Sequence, residues 1–337
     1  MIASIAIVAR NEEGYIEKIF NDILNQTYPL NQIELLLIDS MSTDKTLDIM
    51  KSIRENNLPF FYRIKIIQNV EITQASGWNK AIKHFSGETL TRIDAHSSIE
   101  FDFIENVINS IKAGEYVVGG PRLSIIENEN VWSNLLYVSE TSMFGSGIAS
   151  YRQETDQNSY KKTMFHATYK REVLEKVGFF NENLGRTEDN DFHYRIREKG
   201  YKLFYTNKIK SYQYIRPTLR KMISQKYGNG YWIGRTLFVQ PKCLSIFHFV
   251  PFLFLVALII SIITLLLFDS IILLFLVLGS YLIFCLVSMF INIIRQKKMR
   301  FLLLPIIFFI LHISYGLGTV NGLLIALKGE FTNFIRR

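Results

Sequence analysis

The chain has 337 residues, 49% of them hydrophobic, and a formal charge of +8 from 38 basic and 30 acidic side chains. That length allows two domains, or one domain with an appendage. Only two cysteines occur, Cys243 and Cys285, which excludes a disulfide framework and a cysteine-based zinc site.

Residues 2–9 form a continuous apolar run of the buried parallel-strand type, broken by Arg10-Asn11-Glu12-Glu13. Tyr15, Ile16, Ile19, Phe20, Ile23 and Leu24 then repeat at helical spacing. A second strand at residues 33–38 closes on Asp39-Ser40-Met41-Ser42-Thr43-Asp44, where Ser42 or Thr43 can cap the next helix. Residues 60–70 contain a third strand, residues 73–85 a helix, and residues 89–93 a fourth strand. This alternation predicts a right-handed, largely parallel α/β sheet with helices on both faces.

The fourth strand ends on Asp94-Ala95-His96. In open α/β sheets ligands bind at the carboxyl ends of the strands. Alternation turns Asp94 and His96 to one side if the strand persists through both. A carboxylate and an imidazole suit a divalent ion that carries a phosphate-bearing substrate. The competing reading is a plain turn with a solvated histidine.

A helix over residues 101–112 and a strand over 116–119 follow. Residues 121–160 read as irregular and polar. Their Gly145-Ser146-Gly147 lacks the third glycine of a dinucleotide fingerprint and reads as a mobile loop over a site. Residues 163–168 read as a strand and 171–177 as a helix. Arg186-Thr187-Glu188-Asp189 opens a further helix, with Thr187 as its N-cap and the acids at its positive end. Acids at a helix start need no catalytic role. Short strands are expected at 202–206 and 211–215.

No acidic residue occurs between Lys199 and Phe268, while ten lysines and arginines do. This basic stretch abuts long apolar runs, which favours an anionic lipid surface over nucleic acid as its partner. Residues 217–227 read as an amphipathic interfacial helix interrupted at Gly228-Asn229-Gly230-Tyr231-Trp232. Residues 247–268 and 271–294 are each long enough to span a bilayer core of roughly 30 Å. Residues 301–327, broken by Pro305 and by His312 to Gly318, either span or bend and return. The expected plan is a catalytic domain at 1–215, an interfacial segment at 216–245 and a membrane domain at 246–330. The basic loop at 295–300 and the lack of a signal-peptide pattern at the start place the catalytic domain on the cytoplasmic side.

The segments "SIAIVARNEE" at 4–13, "NQTYP" at 25–29 and "DSMSTD" at 39–44 resemble the opening of family 2 glycosyltransferases. The resemblance continues through Gly77-Trp78-Asn79, Asp94-Ala95-His96 and Arg186-Thr187-Glu188-Asp189, and covers about residues 1–235. The DAH triplet, "VGGP" at 118–121 and "SYGLG" at 314–318 are similar to succinoglycan-type glucosyltransferases of bacterial exopolysaccharide synthesis.

That resemblance implies a GT-A fold and a membrane-anchored, inverting, non-processive transferase. Its donor would be a nucleotide-diphospho-sugar, a UDP-hexose by preference. Its acceptor would be a polyprenyl-linked saccharide at the bacterial cell membrane, with other polysaccharide-assembly proteins as further partners. It places the donor at Ala9, Arg10, Asn11, Asp39, Asn79, Asp94 and Arg186. It gives a Mg or Mn ion to Asp94 and His96. It makes Asp189 the general base with Glu188 beside it, and puts Gln225 and Trp232 at the acceptor or interface. Three positions depart from the family pattern. Ser40 stands where many members carry a second acid, and His96 replaces an aspartate. The arginine of the processive Gln-x-x-Arg-Trp motif is missing between Gln225 and Trp232. A polyprenyl-phosphate sugar synthase and a non-catalytic membrane scaffold are the alternative readings.

Overall fold

The computed structural model describes residues 1–145, 154 and 157–335, with side chains up to residue 328. Ser146 and Gly147 of the glycine triplet lie outside the described residues. The chain divides into two units: Met1–Ser124 with Ser150–Tyr214, and Ile125–Ala149 with Ile215–Arg337. The first unit is thus discontinuous, whereas the sequence suggested an unbroken domain over residues 1–215.

The strands of the first unit are β1 (Ala3–Ala9), β2 (Ile33–Asp39), β3 (Arg63–Gln68), β4 (Thr89–Asp94), β5 (Ser97–Ile99), β6 (Val117–Gly119), β7 (Arg122–Ile125), β8 (Ser159–Lys161), β9 (Thr168–Lys170), β10 (Leu203–Tyr205) and β11 (Ser211–Tyr214). Eight of them form one sheet in the order β3-β2-β1-β4-β9-β6-β10-β8, and β5-β11-β7 form a smaller one. The four strands from β3 to β4 are parallel. β9 is antiparallel to both β4 and β6, so the sheet is mixed beyond the half that carries the first three loops.

Side chains alternate between two cores, as the two-residue period of a strand demands. Ala3, Ile5, Ile7 and Ala9 of β1 face one core, with α1 (Ile16–Leu24), α2 (Thr46–Asn57) and α4 (Phe103–Lys112). Ala6 faces the other, with α3 (Gln74–His84), α6 (Arg171–Val177) and α7 (Glu188–Glu198). α2 starts at Thr46, so neither Ser42 nor Thr43 caps it. Asp44 Oδ1 instead accepts the Thr46 N–H at 2.9 Å.

Residues 121–160 are less irregular than their composition suggested. They contain β7, β8 and the helix α5 (Val131–Thr141). α5 opens on a reciprocal capping box between Asn130 and Ser133 and belongs to the second unit.

The second unit also holds α8 (Leu219–Val239), α9 (Val250–Phe268), α10 (Ile272–Gln296) and α11 (Leu304–Ile335). α8 runs unbroken through Gly228 and Gly230, and α11 unbroken through Pro305 and Gly316. These glycines are contact surfaces rather than breakers. A Cβ on Gly230 would lie 2.0 Å from Tyr315 O, and one on Gly322 would lie 2.0 Å from Tyr231 O. Gly234 and Gly318 are equally tight, against Thr319 O and Tyr227 O. Paired glycines four residues apart on both helices thus bring two backbones together. Among the described residues, three segments are long and apolar enough to cross a membrane: Ile246–Phe268, Ile272–Gln296 and Met299–Lys328.

Filling one of the α8–α11 contacts should cost about 2 kcal/mol or more, the usual scale of overpacking. Gly230→Val is expected to lower the thermal midpoint of the detergent-solubilised protein. Gly279→Val, where nothing lies within 4 Å of the added atom, is expected to leave it within a degree or two of the parent. Equal midpoints for the two variants would refute the interlock.

Candidate active site

The loops after β1, β2 and β3 each contain a non-glycine residue with positive φ: Asn11 at 56°, Met41 at 56° and Ile72 at 66°. Such backbone is costly, most of all for β-branched Ile72, and persists where surrounding contacts over-determine it. Here the first two loops are laced together. Asn11 N–H donates to Ser42 Oγ at 3.1 Å, and Thr43 N–H donates to Asn11 Oδ1 at 2.8 Å. Glu12 N–H donates to Thr46 Oγ1 at 2.8 Å, and Lys45 N–H to Glu13 Oε2 at 3.1 Å.

Asp39 is buried at the last position of β2, beside Ala9 in the parallel register. Its Oδ1 accepts the Ser42 N–H at 3.2 Å, and Ala9 O accepts the Ser40 N–H at 2.8 Å. Arg10, next after Ala9, is exposed. Asn69 donates to Ser40 Oγ and to Thr73 O, both at 2.9 Å, and accepts from Ser76 Oγ. Gly77 lets α3 approach β1: a Cβ there would lie 2.6 Å from Val8 Cγ1.

β4 stops at Asp94, and Ala95-His96 is a turn into β5. The strand does not persist, so alternation does not set the direction of His96. Its Nδ1 lies 3.2 Å from Glu12 Oε1 and its Nε2 lies 3.1 Å from Gln213 Nε2 of β11. Asp94 is buried, and its Oδ1 accepts from Gln74 Nε2 at 3.3 Å. Its backbone N–H donates to His166 Nε2 at 3.3 Å. Burial works to raise the Asp94 pKa, but His166, His96, Arg92 and Arg122 together hold it below the usual carboxylate range. Burial drives His166 down to about 3, so this imidazole is neutral, and its Nδ1 is buried without a hydrogen-bond partner.

Glu188 and Asp189 start α7, with Thr187 at the N-cap position but no side-chain cap bond. Glu188 is buried, Asp189 half-buried and Arg186 exposed. Beside the pair stands Arg92 of β4, whose side chain is 4% exposed. Its Nη2 lies 3.8 Å from Glu188 Oε1, and its guanidinium sits 4.8 Å from the Trp78 ring and 5.6 Å from the Phe180 ring. Arg92 Nε and Nη1 and Glu188 Oε2 are buried without partners. Buried hydrogen-bonding atoms left unused beside an ion pair are expensive for the fold and mark candidate functional sites.

Burial raises the pKa of both acids, and the neighbouring Asp189 charge raises Glu188 further; Arg92 opposes the rise in both. A carboxyl pair with raised affinity for protons is suited to accept one from a hydroxyl near neutral pH.

Not every expected residue joins this edge. The Asn79 amide braces α3 against the turn before α7. It donates to Phe180 O at 3.0 Å and Glu182 Oε1 at 2.7 Å, and accepts the Phe180 N–H at 2.7 Å. His193 is fully buried on α7, with Nε2 2.9 Å from the Tyr169 hydroxyl. Gln225 and Trp232 lie on α8 in the second unit, where Arg235 sits 5.3 Å from the Trp232 ring. No group of three or more His, Cys, Asp or Glu with metal-holding geometry occurs among the described residues. Arg92 and His166 were given no role from sequence. Their partners lie 96 and 72 positions away, so no local spacing signals them.

Buried acids at the carboxyl ends of strands in an α/β sheet mark a candidate ligand-binding edge. The sequence model described as "Glycosyl transferase family 2" matches residues 4–178, and the chain belongs to that family; it is a glycosyltransferase. It is 29% identical over 337 residues to the dolichyl N-acetyl-alpha-D-glucosaminyl phosphate 3-beta-D-2,3-diacetamido-2,3-dideoxy-beta-D-glucuronosyltransferase of Methanococcus voltae, covering 98% of each chain. It is 24% identical over 232 residues to the succinoglycan biosynthesis protein ExoA of Rhizobium meliloti (strain 1021), covering 67% of each. Among solved structures it is similar to the mannosyltransferase PcManGT from Pyrobaculum calidifontis, in complex with GDP-Man and Mn2+. That match has a TM-score of 0.52 and 17% identity, and covers 70% of this chain and 64% of that one.

The surroundings of the acid pair set a pH dependence. Because its pKa is raised, kcat/KM for transfer should fall on the acid side above pH ~4, the ordinary carboxylate value. Removing the opposing cation should raise the pair further. Arg92→Gln is therefore expected to move the acid limb of the pH–rate profile upward by about one unit. A limb that stays in place would show that Arg92 does not act on the pair.

Proposed function

We propose that the protein is a membrane-anchored, inverting, non-processive transferase that moves a sugar from a nucleotide-diphospho-sugar to a lipid-linked saccharide. The observation that carries this reading is the gathering of Asp39, Asp94 and the Glu188–Asp189 pair at one end of the sheet in the first unit. Asp39, with the Ala9-Arg10-Asn11 loop, takes the nucleotide base. Asp189 accepts the proton of the acceptor hydroxyl as that oxygen bonds to the anomeric carbon. The bond from that carbon to the diphosphate breaks on the opposite face, and the configuration inverts. Glu188 and Arg92 hold Asp189 in its field, and exposed Arg186 faces the departing phosphate.

Asp94 and His96 would hold a Mg or Mn ion. The chemistry of the pair suits such an ion: a buried carboxylate held below the usual carboxylate range, and an imidazole. Such an ion, when bound, neutralises charge on the leaving nucleoside diphosphate. The fold relative PcManGT is described with Mn2+ and a nucleotide-sugar.

For the acceptor, the Methanococcus relative is the guide. Its name specifies a dolichyl-linked N-acetylglucosaminyl phosphate, and the similarity runs over nearly all of both chains. The three apolar helices would hold the enzyme in the cell membrane as a multi-pass protein, with the catalytic unit cytoplasmic. The product would enter a cell-surface glycan, an exopolysaccharide among the candidates.

Two variants test the roles. Asp189→Asn should reduce kcat by roughly 10²–10⁴-fold, the range for a lost general base, with donor affinity by calorimetry left unchanged. Loss of donor binding instead would remove Asp189 from the base role. His96→Ala should raise the metal concentration for half-maximal activity by at least about tenfold. An unaltered metal titration would contradict the ligand assignment. Offering bare polyprenyl phosphate beside a lipid-linked saccharide separates this reading from a polyprenyl-phosphate sugar synthase.

A further inference from the structure

The excursion that carries α5 leaves the catalytic unit and becomes part of the membrane-helix unit. Its buried residues Leu135, Leu136 and Val138 pack into the cluster formed by Cys285 of α10, Phe301 just before α11, and Leu304 and Phe308 at the start of α11. These partners all lie inside the segments long and apolar enough to cross a membrane. Past the end of α5, Phe144 goes further in. Its ring lies 5.3 Å from Tyr281, 5.3 Å from Phe308 and 5.0 Å from His312. Tyr281 and His312 stand well inside their apolar spans, so the turn that carries Phe144 enters the same layer.

At the N-terminal end of α5 and just past its C-terminal end, apolar side chains remain open. Val131 is 52%, Trp132 53% and Met143 78% exposed. Tryptophan at the boundary of an apolar layer is the side chain that favours the headgroup region of a bilayer. The charge pattern agrees. α5 carries a single ionisable residue, Glu140, and that carboxylate is not left to water. It lies 2.6 Å from Lys226 Nζ of α8, with the two side chains only 8% and 9% exposed. An acid on an otherwise uncharged helix, neutralised inside the protein, is what a low-dielectric surrounding requires.

We propose that α5 and the turn to Phe144 form a further membrane-contacting element. It lies in the bilayer interface against α10 and α11, with Trp132 among the lipid headgroups and Met143 toward the acyl chains. The element does not cross the bilayer: eleven residues of helix reach only about 16 Å. It is of the monotopic kind, embedded on one side.

The test is depth-dependent quenching of Trp132 in the full chain reconstituted into phosphatidylcholine–phosphatidylglycerol vesicles. Trp132→Phe isolates its signal from Trp78 and Trp232 by difference, and the exchange of an exposed ring leaves the core intact. Lipids brominated near the glycerol end of the acyl chain should quench most of the Trp132 emission. Lipids brominated near the methyl end should quench little of it, and aqueous iodide should quench little as well. Strong iodide quenching without bromolipid quenching would overturn the proposal by placing Trp132 in water. Absence of both would overturn it too, by showing a protein surface over Trp132. Met143→Trp in the Trp132→Phe background gives an independent second reading, expected at greater depth; iodide access there would count equally against the proposal.

Discussion

The constraint on which the site depends is charge buried at the end of β4. Arg92 and Asp94 are two residues apart on one strand, so the pleat turns both toward α3 and α7. There they meet Glu188 at the first turn of α7, deep enough that none of the three is substantially solvated. Ionised groups in such a place must balance one another or change protonation. The balance here is incomplete: the acid pair is pushed toward the protonated form, and Arg92 restrains it. Such an imbalance suits a base that must take and release a proton, the role proposed for Asp189.

Geometry around this cluster follows from the demand. Trp78 and Phe180 sandwich the guanidinium, and Asn79 fixes the Phe180 turn from the adjacent position on α3. The Gly77-Trp78-Asn79 run thus has three structural duties: close approach to β1, a ring over Arg92, and a brace to the chain that leads into α7. The Asn79 amide makes its hydrogen bonds to Phe180 and Glu182 on the segment that leads into α7.

Acids at strand ends and helix starts were legible in the sequence, since Asp39, Asp94 and Asp189 sit where periodicity breaks. The parallel half of the sheet was legible for the same reason. What escaped notice depends on distant neighbours. Arg92 looks like one polar residue in a strand until Glu188 is placed beside it. His166 has no spacing relation to Asp94. His96 was read from alternation, but the strand ends two residues too soon. α5 was hidden by Asn and Ser residues that turn out to cap it, and Gly230 and Gly318 read as breakers because their partners lie on another helix. The meaning of a glycine in a helix is set by what approaches it, and that is not local information.

The central claim is that one carboxylate activates the acceptor for a single displacement at the anomeric carbon. The stereochemistry of the product tests it most directly. Transfer from an α-configured nucleotide-sugar to a lipid-linked saccharide, followed by NMR of the new anomeric proton, should show only the β-linked product. An α-linked product, meaning net retention, would contradict the account.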